Sequence, residues 1–365
     1  MKFQSPAKAL QEPLIAALGA TDGKTLPVLA HLLLRTDDNA LWIIGSDLEM
    51  QLMTIADSQV SQNGAICVPA RKLADIVRML PGDALVQAEV KDGKFSIKAN
   101  KSRFSMATLA ADTFPVFDNA QYSQEVKVPA ETLRHLLEKT AFAMAKNDVR
   151  HYLNGLFLQT ENGILRAVAS NGHQLALCEA ALKTPEPLSL IVSRKGIAEL
   201  NRLAQRKGEF DLRFSPNSLK ASIGEVELSL KLIEGKFPDF RRHIPTQFAH
   251  TLVADRAALV SALERAALMA DEKFAGVHLS VDAANPSDLL ITASNSEGED
   301  AEEHLEIELE GAPFEAGFNA NYLLEALKHV DSPRAVLGFP DGCSSCLITD
   351  ETDESFRFVI MPIRL

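Results

Sequence analysis

The residues best equipped for chemistry in this chain are a thiol pair and two opposed runs of charge. Cys343-Ser-Ser-Cys346 has the spacing of half a zinc site, but tetrahedral zinc needs four ligands, and Cys67 and Cys178 stand alone. The residues after Cys346 read Leu-Ile-Thr, a strand rather than the helix that a redox pair opens. Inert thiols are therefore expected, with no metal and no cofactor. No phosphate loop, dinucleotide glycine motif, His-Glu-x-x-His or nucleophile elbow occurs. The nine His include no i, i+4 pair, and the acidic run lacks calcium-loop spacing. A non-catalytic protein is expected.

What remains is electrostatic. Residues 91–105 hold five basic side chains against one acid, whereas residues 286–310 hold nine carboxylates and no Lys or Arg. Each run alone reads as a solvated face. Together, at opposite ends of the chain, they suit a head-to-tail contact between two copies, which can close into a ring. The candidate contact sets Lys94, Lys101, Arg103, Phe104 and Met106 of one copy against Leu268, Met269, Glu299, Asp300, Glu302 and Glu303 of another.

A second electrostatic signal lies in helical stretches. Residues 69–80 carry a net +2, 194–208 a net +4 and 129–151 a net +1, in a chain whose total is −12. That total argues against coating nucleic acid with the whole surface, but a helix-lined positive face would grip phosphates without reading bases.

The elements that must position these groups repeat. A Ser-Asp or Ser-Asn pair falls at 46–47, 170–171 and 294–295, 124 residues apart each time. Val68-Pro-Ala-Arg-Lys-Leu-Ala-Asp-Ile is echoed from Val192 and from Phe318, and Phe114-Pro-Val-Phe is echoed by Phe237-Pro-Asp-Phe. Units this long fold alone, unlike solenoid repeats. Three tandem copies are expected, over residues 1–121, 122–248 and 249–365.

Within each copy, apolar residues at helical spacing alternate with segments of period two. The helices are marked by Leu10, Leu14, Ala17 and Leu18, where Pro13 forces a start or kink, and by Leu73, Ile76, Val77 and Leu80. They continue with Leu133, Leu136, Leu137, Ala141 and Met144; Ile197, Leu200, Leu203 and Ala204; Leu259, Ala262, Leu263 and Ala266; and Leu323, Leu327 and Val330. Two helices on antiparallel sheet make each copy an α+β unit.

Spacing then selects a stoichiometry. Helices about 10 Å thick and ~10 Å apart give a six-helix ring a hole near ~9 Å, too small for a duplex about 20 Å wide. Twelve helices from two chains leave about 28 Å, and three chains a loose ~47 Å. No stretch reaches membrane-spanning length, and residues 1–19 lack a signal-peptide core, so a cytoplasmic protein is expected. From these residues alone, an enzyme reusing the scaffold and a peptide-binding scaffold that ignores DNA both stay open.

Thr25-Leu-Pro-Val-Leu, Ser46-Asp-Leu-Glu-Met, Asp148-Val-Arg-His-Tyr-Leu-Asn-Gly, Lys236-Phe-Pro-Asp-Phe-Arg-Arg and the terminal Met361-Pro-Ile-Arg-Leu resemble the bacterial replicative sliding clamp family, the beta subunit of DNA polymerase III. The resemblance covers the whole chain. It implies three DNA-clamp domains per chain and a homodimeric six-domain ring that slides on duplex DNA as a processivity factor. It implies DNA contacts at Lys24, Arg71, Asn147, His151 and Tyr152.

It further implies a partner-peptide pocket between copies two and three. Its residues would be Leu153, Ser170, Gly172, His173, Gln174, Leu175, Pro238, Arg242, His243, Tyr322, Ser345, Val359, Ile360, Met361, Pro362, Ile363 and Arg364. The implied partners are the DNA polymerase III alpha subunit, the clamp loader, other DNA polymerases and repair proteins, each docking a glutamine-led apolar peptide, with no membrane. This chain departs from the familiar pattern at Lys24, His151, Gln174, His243 and Ile363, where Arg, Tyr, Arg, an aliphatic residue and Met are expected.

Overall fold

The computed structural model describes residues 1–117, 121–182, 187–271, 274–341 and 344–363. Cys343 and Arg364 lie outside the described residues.

The first copy runs β1 (Lys2–Pro6), α1 (Ala7–Leu18), β2 (His31–Asp37), β3 (Ala40–Ser46), β4 (Met50–Asp57) and β5 (Gln59–Gln62). It continues with β6 (Gly64–Pro69), α2 (Ala70–Met79), β7 (Leu85–Lys91), β8 (Lys94–Ala99) and β9 (Ser102–Ala107). The second copy holds β10 (Gln124–Pro129), α3 (Ala130–Glu138), β11 (Gly155–Glu161), β12 (Ile164–Ser170) and β13 (Gln174–Ala181). After these come β14 (Leu188–Ser193), α4 (Arg194–Leu203), β15 (Glu209–Phe214), β16 (Ser218–Ile223) and β17 (Val226–Lys231). The third holds β18 (His250–Asp255), α5 (Arg256–Ala267), β19 (Gly276–Val281), β20 (Asp288–Ser294) and β21 (Asp300–Gly311). It ends with β22 (Phe314–Asn319), α6 (Ala320–Lys328), β23 (Arg334–Phe339), β24 (Cys346–Asp350) and β25 (Phe356–Ile360). The order strand, helix, four strands, helix, three strands thus recurs, with β5 the one extra strand.

The Ser-Asp/Asn repeat has a local cause. Asp47 Oδ1 accepts from the N–H of Glu49 (2.9 Å) and Met50 (2.8 Å), and Asn171 Oδ1 from His173 (2.9 Å) and Gln174 (3.0 Å). Asn295 Oδ1 does the same for Glu297 (3.0 Å) and Glu299 (3.1 Å). In all three copies one side-chain oxygen caps the turn between two paired strands.

The sheets run β5-β1-β7-β8-β9; β10-β15-β16-β17-β4-β3-β2-β6; and β14-β11-β12-β13-β25-β24-β23-β18-β21-β20-β19-β22. The chain divides into two compact units, Met1–Glu131 with Ala198–Leu232, and Thr132–Ile197 with Ile233–Leu365. The division cuts the central copy, because its β17 continues the first copy's sheet through β4 and its β13 continues the third copy's through β25.

In the first unit, Leu10, Leu14 and Ala17 of α1 and Leu73, Ala74 and Val77 of α2 bury one face each with Phe3, Phe95 and Ile97. Gly45 of β3 lets α1 approach, since a Cβ there would lie 2.2 Å from the Ala17 carbonyl oxygen. Pro13 does not start the helix; α1 begins at Ala7 and runs through it.

In the second unit α3 ends at Glu138, earlier than the apolar spacing to Ala141 and Met144 suggests. Thr140 Oγ1 donates to the Leu136 carbonyl (2.6 Å), and Lys139 turns inward to donate to the His329 carbonyl and to Asp331 Oδ2 (2.8 Å). A short 3-10 turn, Ala141–Ala143, follows, and Met144 is buried without being helical. Val330 is likewise buried just past α6. Among the described residues no helix is long and apolar enough to cross a membrane.

Candidate functional site

On β13 the alternation of side chains separates two surfaces. Leu175 and Leu177 join one buried apolar cluster with Leu153, Val168, Ile191, Phe237, Phe240, Leu347 and Val359, while Cys178 lies on the other face beside Ser355. Phe157 stacks on Phe237 with ring centroids 4.9 Å apart and packs against the cluster together with Tyr152, Ile233 and Ile244. Three of the expected pocket residues, Leu153, Leu175 and Val359, are therefore brought together.

The turn before β13 supplies a polar lip. Ser170 Oγ accepts from the Gly172 N–H (3.1 Å) and donates to the Gln174 carbonyl (2.7 Å). Gly172 has φ +90°, a conformation that favours glycine, and a Cβ there would lie 2.9 Å from Arg150 Nη2, so that guanidinium would have to shift. His173 is exposed and stacks toward Tyr322 of α6, with centroids 6.4 Å apart, while Asn171 Nδ2 donates to the Tyr322 hydroxyl (3.4 Å).

The chain end crosses this lip. The Met361 N–H donates to the His173 carbonyl (2.9 Å) and the Ile363 N–H to the Gly317 carbonyl (2.8 Å). Met361, Pro362 and Ile363 stay half-exposed, whereas Ile360 is buried between Gln174 and Cys346. Pro238, Arg242 and His243 are exposed around the 3-10 turn Phe240–His243, with Arg242 Nε 3.0 Å from Asp239. Ser345 is half-buried beside Cys346. The Gln174 amide oxygen is buried without a hydrogen-bond partner.

Sequence reasoning missed Phe237 and Phe240, the buried aromatic members of that cluster. The echo of Phe114-Pro-Val-Phe in Phe237-Pro-Asp-Phe contained the signal, since Phe114 fills the corresponding smaller cluster with Leu33, Ile44 and Cys67.

Of the expected DNA contacts, Asn147, His151 and Tyr152 share one loop of the second unit, with Asn147 at φ +56° and His151 exposed. The loop is braced from within. Arg150 donates through its N–H (2.8 Å), Nε (3.0 Å) and Nη2 (2.9 Å) to Asp148, and these bonds hold the Asp148 carboxyl at about 2. Asn154 Oδ1 accepts from the Asp148 N–H and its Nδ2 donates to the Asp148 carbonyl. Arg150 also reaches the Asn171 carbonyl (3.3 Å), tying this loop to the lip.

Lys24 and Arg71 lie in the first unit, both exposed, Arg71 in the first turn of α2. Several cations of the positive helical segments are spent inside the fold. Arg194 donates to the Met144 and Ala145 carbonyls, Arg202 holds Glu199 and the Ala16 carbonyl, and Arg206 pairs with Glu12. Those segments therefore present less free positive charge than their sums imply.

The opposed charge runs fall on two strand edges. β9 ends its sheet, with Arg103 and Ser105 exposed. β21 pairs with β20 along Asp300–Glu306, but with β18 only from Ile307 to Gly311, leaving one side of its acidic half open. Lys94, Lys101, Glu299, Asp300 and Glu302 are exposed, and Glu303 pairs with Arg265. Leu268 is 77% and Met269 37% exposed at the end of α5. Met106 corrects the sequence expectation: at 7% exposure it belongs to the first unit's core, with Phe104 packed against that core, because both point inward from β9.

The three described thiols are buried. Burial, the largest cause, pushes Cys67 and Cys178 up to about 11 and raises Cys346 further. Among the described residues no group of three or more His, Cys, Asp or Glu is placed to hold a metal.

Known proteins match this arrangement along the full length. Models of the N-terminal, central and C-terminal domains of the DNA polymerase III beta subunit match residues 1–118, 127–239 and 241–364. Beta sliding clamps from Proteus mirabilis and Escherichia coli K12 are 40% and 39% identical, each over all of both chains. The crystal structure of the DNA polymerase III subunit beta from Pseudomonas aeruginosa superposes with a TM-score of 0.96 at 37% identity, and a Caulobacter crescentus beta sliding clamp with 0.93 at 35%, both covering all of each chain. Three sequence-related copies, six helices among the described residues, antiparallel sheets and these matches together mean that the chain belongs to the DNA polymerase III beta subunit family, the bacterial sliding clamps.

Proposed function

We propose that this non-catalytic processivity factor works as a homodimeric ring of six domains, bounded at 1–121, 122–248 and 249–365, around duplex DNA. The carrying observation is that two junctions within the chain share one register. Leu230 stands opposite Met50 and Val226 opposite Thr54; Ile360 stands opposite Gln174 and Phe356 opposite Cys178. In repeat terms β4, β13 and β21 are equivalent, as are β9, β17 and β25. Two of the three equivalent joints are made within the chain, and the strands of the third, β9 and β21, keep open edges.

The same register transfers to that third joint. The turn before β21 is one residue longer than its counterparts, since Ser46 pairs with Gln51 and Ser170 with Leu175, but Ser294 pairs with Asp300. The β8–β9 and β16–β17 hairpins align at Ala99–Ser102 and Ile223–Val226. Glu302 of one copy then falls opposite Arg103 of the next, Ala301 opposite Phe104 and Asp300 opposite Ser105. Charge complementarity and an open backbone ladder coincide.

Arg71, Lys24 and the braced loop at Asn147–Tyr152 would touch phosphates without reading sequence, so binding is sequence-independent and salt-sensitive. The apolar cluster at Leu153, Leu175, Phe240 and Val359 would seat the apolar end of a partner peptide, with the chain end Met361–Ile363 as one wall. The DNA polymerase III alpha subunit, the clamp loader, other polymerases and repair proteins would share it, and a cytoplasmic location follows from that role. The test is retention: the ring should stay on closed circular DNA and leave once the circle is linearised. Equal retention on both forms would refute encirclement.

A further inference from the structure

One titratable group outside these sites lies on the open half of β21. His304 Nδ1 is 2.7 Å from Asp288 Oδ2 on β20, and its Nε2 is 3.1 Å from Glu302 Oε1, two residues earlier on the same strand face. The remaining charged groups around it are also acidic. Glu306 follows on that face opposite Asp288, and Asp282 and Glu315 join Asp288 and His304 in lining a cleft of ≈ 710 Å³. From α5, Arg265 is taken by Glu303, the neighbour that points to the opposite face. The hydrogen bonds that its ring donates to Asp288 and then to Glu302 raise the His304 pKa above the ordinary imidazole value.

We propose that His304 is a proton-operated lock on self-association: protonated, it holds the Glu302 carboxylate that Arg103 of a second copy needs, and neutral, it releases it. This rests on the head-to-tail reading and its register. Extending that register by two pairs, past Ser102 opposite Glu303, brings Lys101, in the turn after β8, opposite His304 itself. Two cations thus arrive beside an imidazolium, which disfavours its charge. Association must expel the proton, so by linkage the dimer tightens as pH rises through the titration of His304 and loosens below it. One linked proton allows at most about a tenfold change in dissociation constant per pH unit.

The measurement is the dimer dissociation constant by sedimentation from about pH 6 to about pH 8.5, a window in which histidine titrates. The full-length chain should bind itself severalfold to tenfold more weakly at the acid end. His304→Gln should flatten this dependence at the tight, high-pH value, and Asp288→Asn should move the transition to lower pH, with thermal unfolding confirming that both variants fold. A wild-type constant that does not change with pH, or a His304→Gln variant that keeps the dependence, overturns the lock while leaving the ring intact. Absence of a dimer at every pH overturns the head-to-tail reading, and the lock with it.

Discussion

The joints made inside the chain and the edges left open come from the same repeat but from different side chains. At the internal joints Leu228 stands opposite Leu52, Leu230 opposite Met50, Phe358 opposite Ala176 and Val359 opposite Leu175, all buried. The open edges instead carry Arg103 and Ser105 on β9, and Asp300, Glu302 and His304 on β21, all exposed. Apolar pairing suits a joint that never opens, because exposing it costs roughly 25 cal/mol per Å². Ion pairs near solvent rehydrate cheaply and still choose the partner, which suits the reopenable joint between two copies proposed above.

The comparison can be broken from either side. The largest effect is expected from Phe358→Ala at an internal joint, about 3–5 kcal/mol of stability by denaturant unfolding. Its native mass should remain that of a dimer wherever it is folded. Arg103→Glu should do the reverse, weakening the dimer about a hundredfold, or roughly 3 kcal/mol, at unchanged unfolding midpoint. Adding Glu302→Arg should restore much of the affinity if those two residues face each other, and no restoration would mean a different register.

Ionic strength sharpens the contrast more gently. Raising salt should weaken self-association and DNA retention, seen by light scattering and gel-based retention, yet hardly move the unfolding midpoint. The smallest effect concerns Asp350, beside the internal joint on β24. Burial pushes its carboxyl up, but bonds from the Thr352 hydroxyl and N–H and from the Asp331 and Ser332 N–H groups outweigh this and hold it at about 2. Because the folded value is depressed, its contribution is present above about pH 4 and is lost as pH falls toward about 2. Asp350→Asn should cost about 1 kcal/mol near neutral pH and flatten that acid limb, read as unfolding midpoint against pH.

Much of this architecture was legible. The 124-residue echo marked three copies, and helical spacing found the apolar faces of α2, α4 and α5, where Leu73, Val77, Leu200, Leu259 and Leu263 are indeed buried. The inward direction of Phe104 and Met106 was also written in the period-two alternation of β9, which sets them on the face opposite Arg103 and Ser105. Other features were not local. That Arg202 holds Glu199 and the Ala16 carbonyl depends on a contact 186 residues away in sequence, so no charge sum over one helix could discount it. The continuation of one copy's sheet by its neighbour depends on which edges meet, which alternation alone does not encode.

The length of β21 has a mechanical consequence. One twelve-residue strand carries the open edge in its first half and is stitched to β18 in its second, while β20 grips it along the first. A pull on the free edge is therefore borne by both ladders along a single stiff rod. A load directed along that rod strains many hydrogen bonds at once, so β21 resists it as one piece instead of peeling pair by pair.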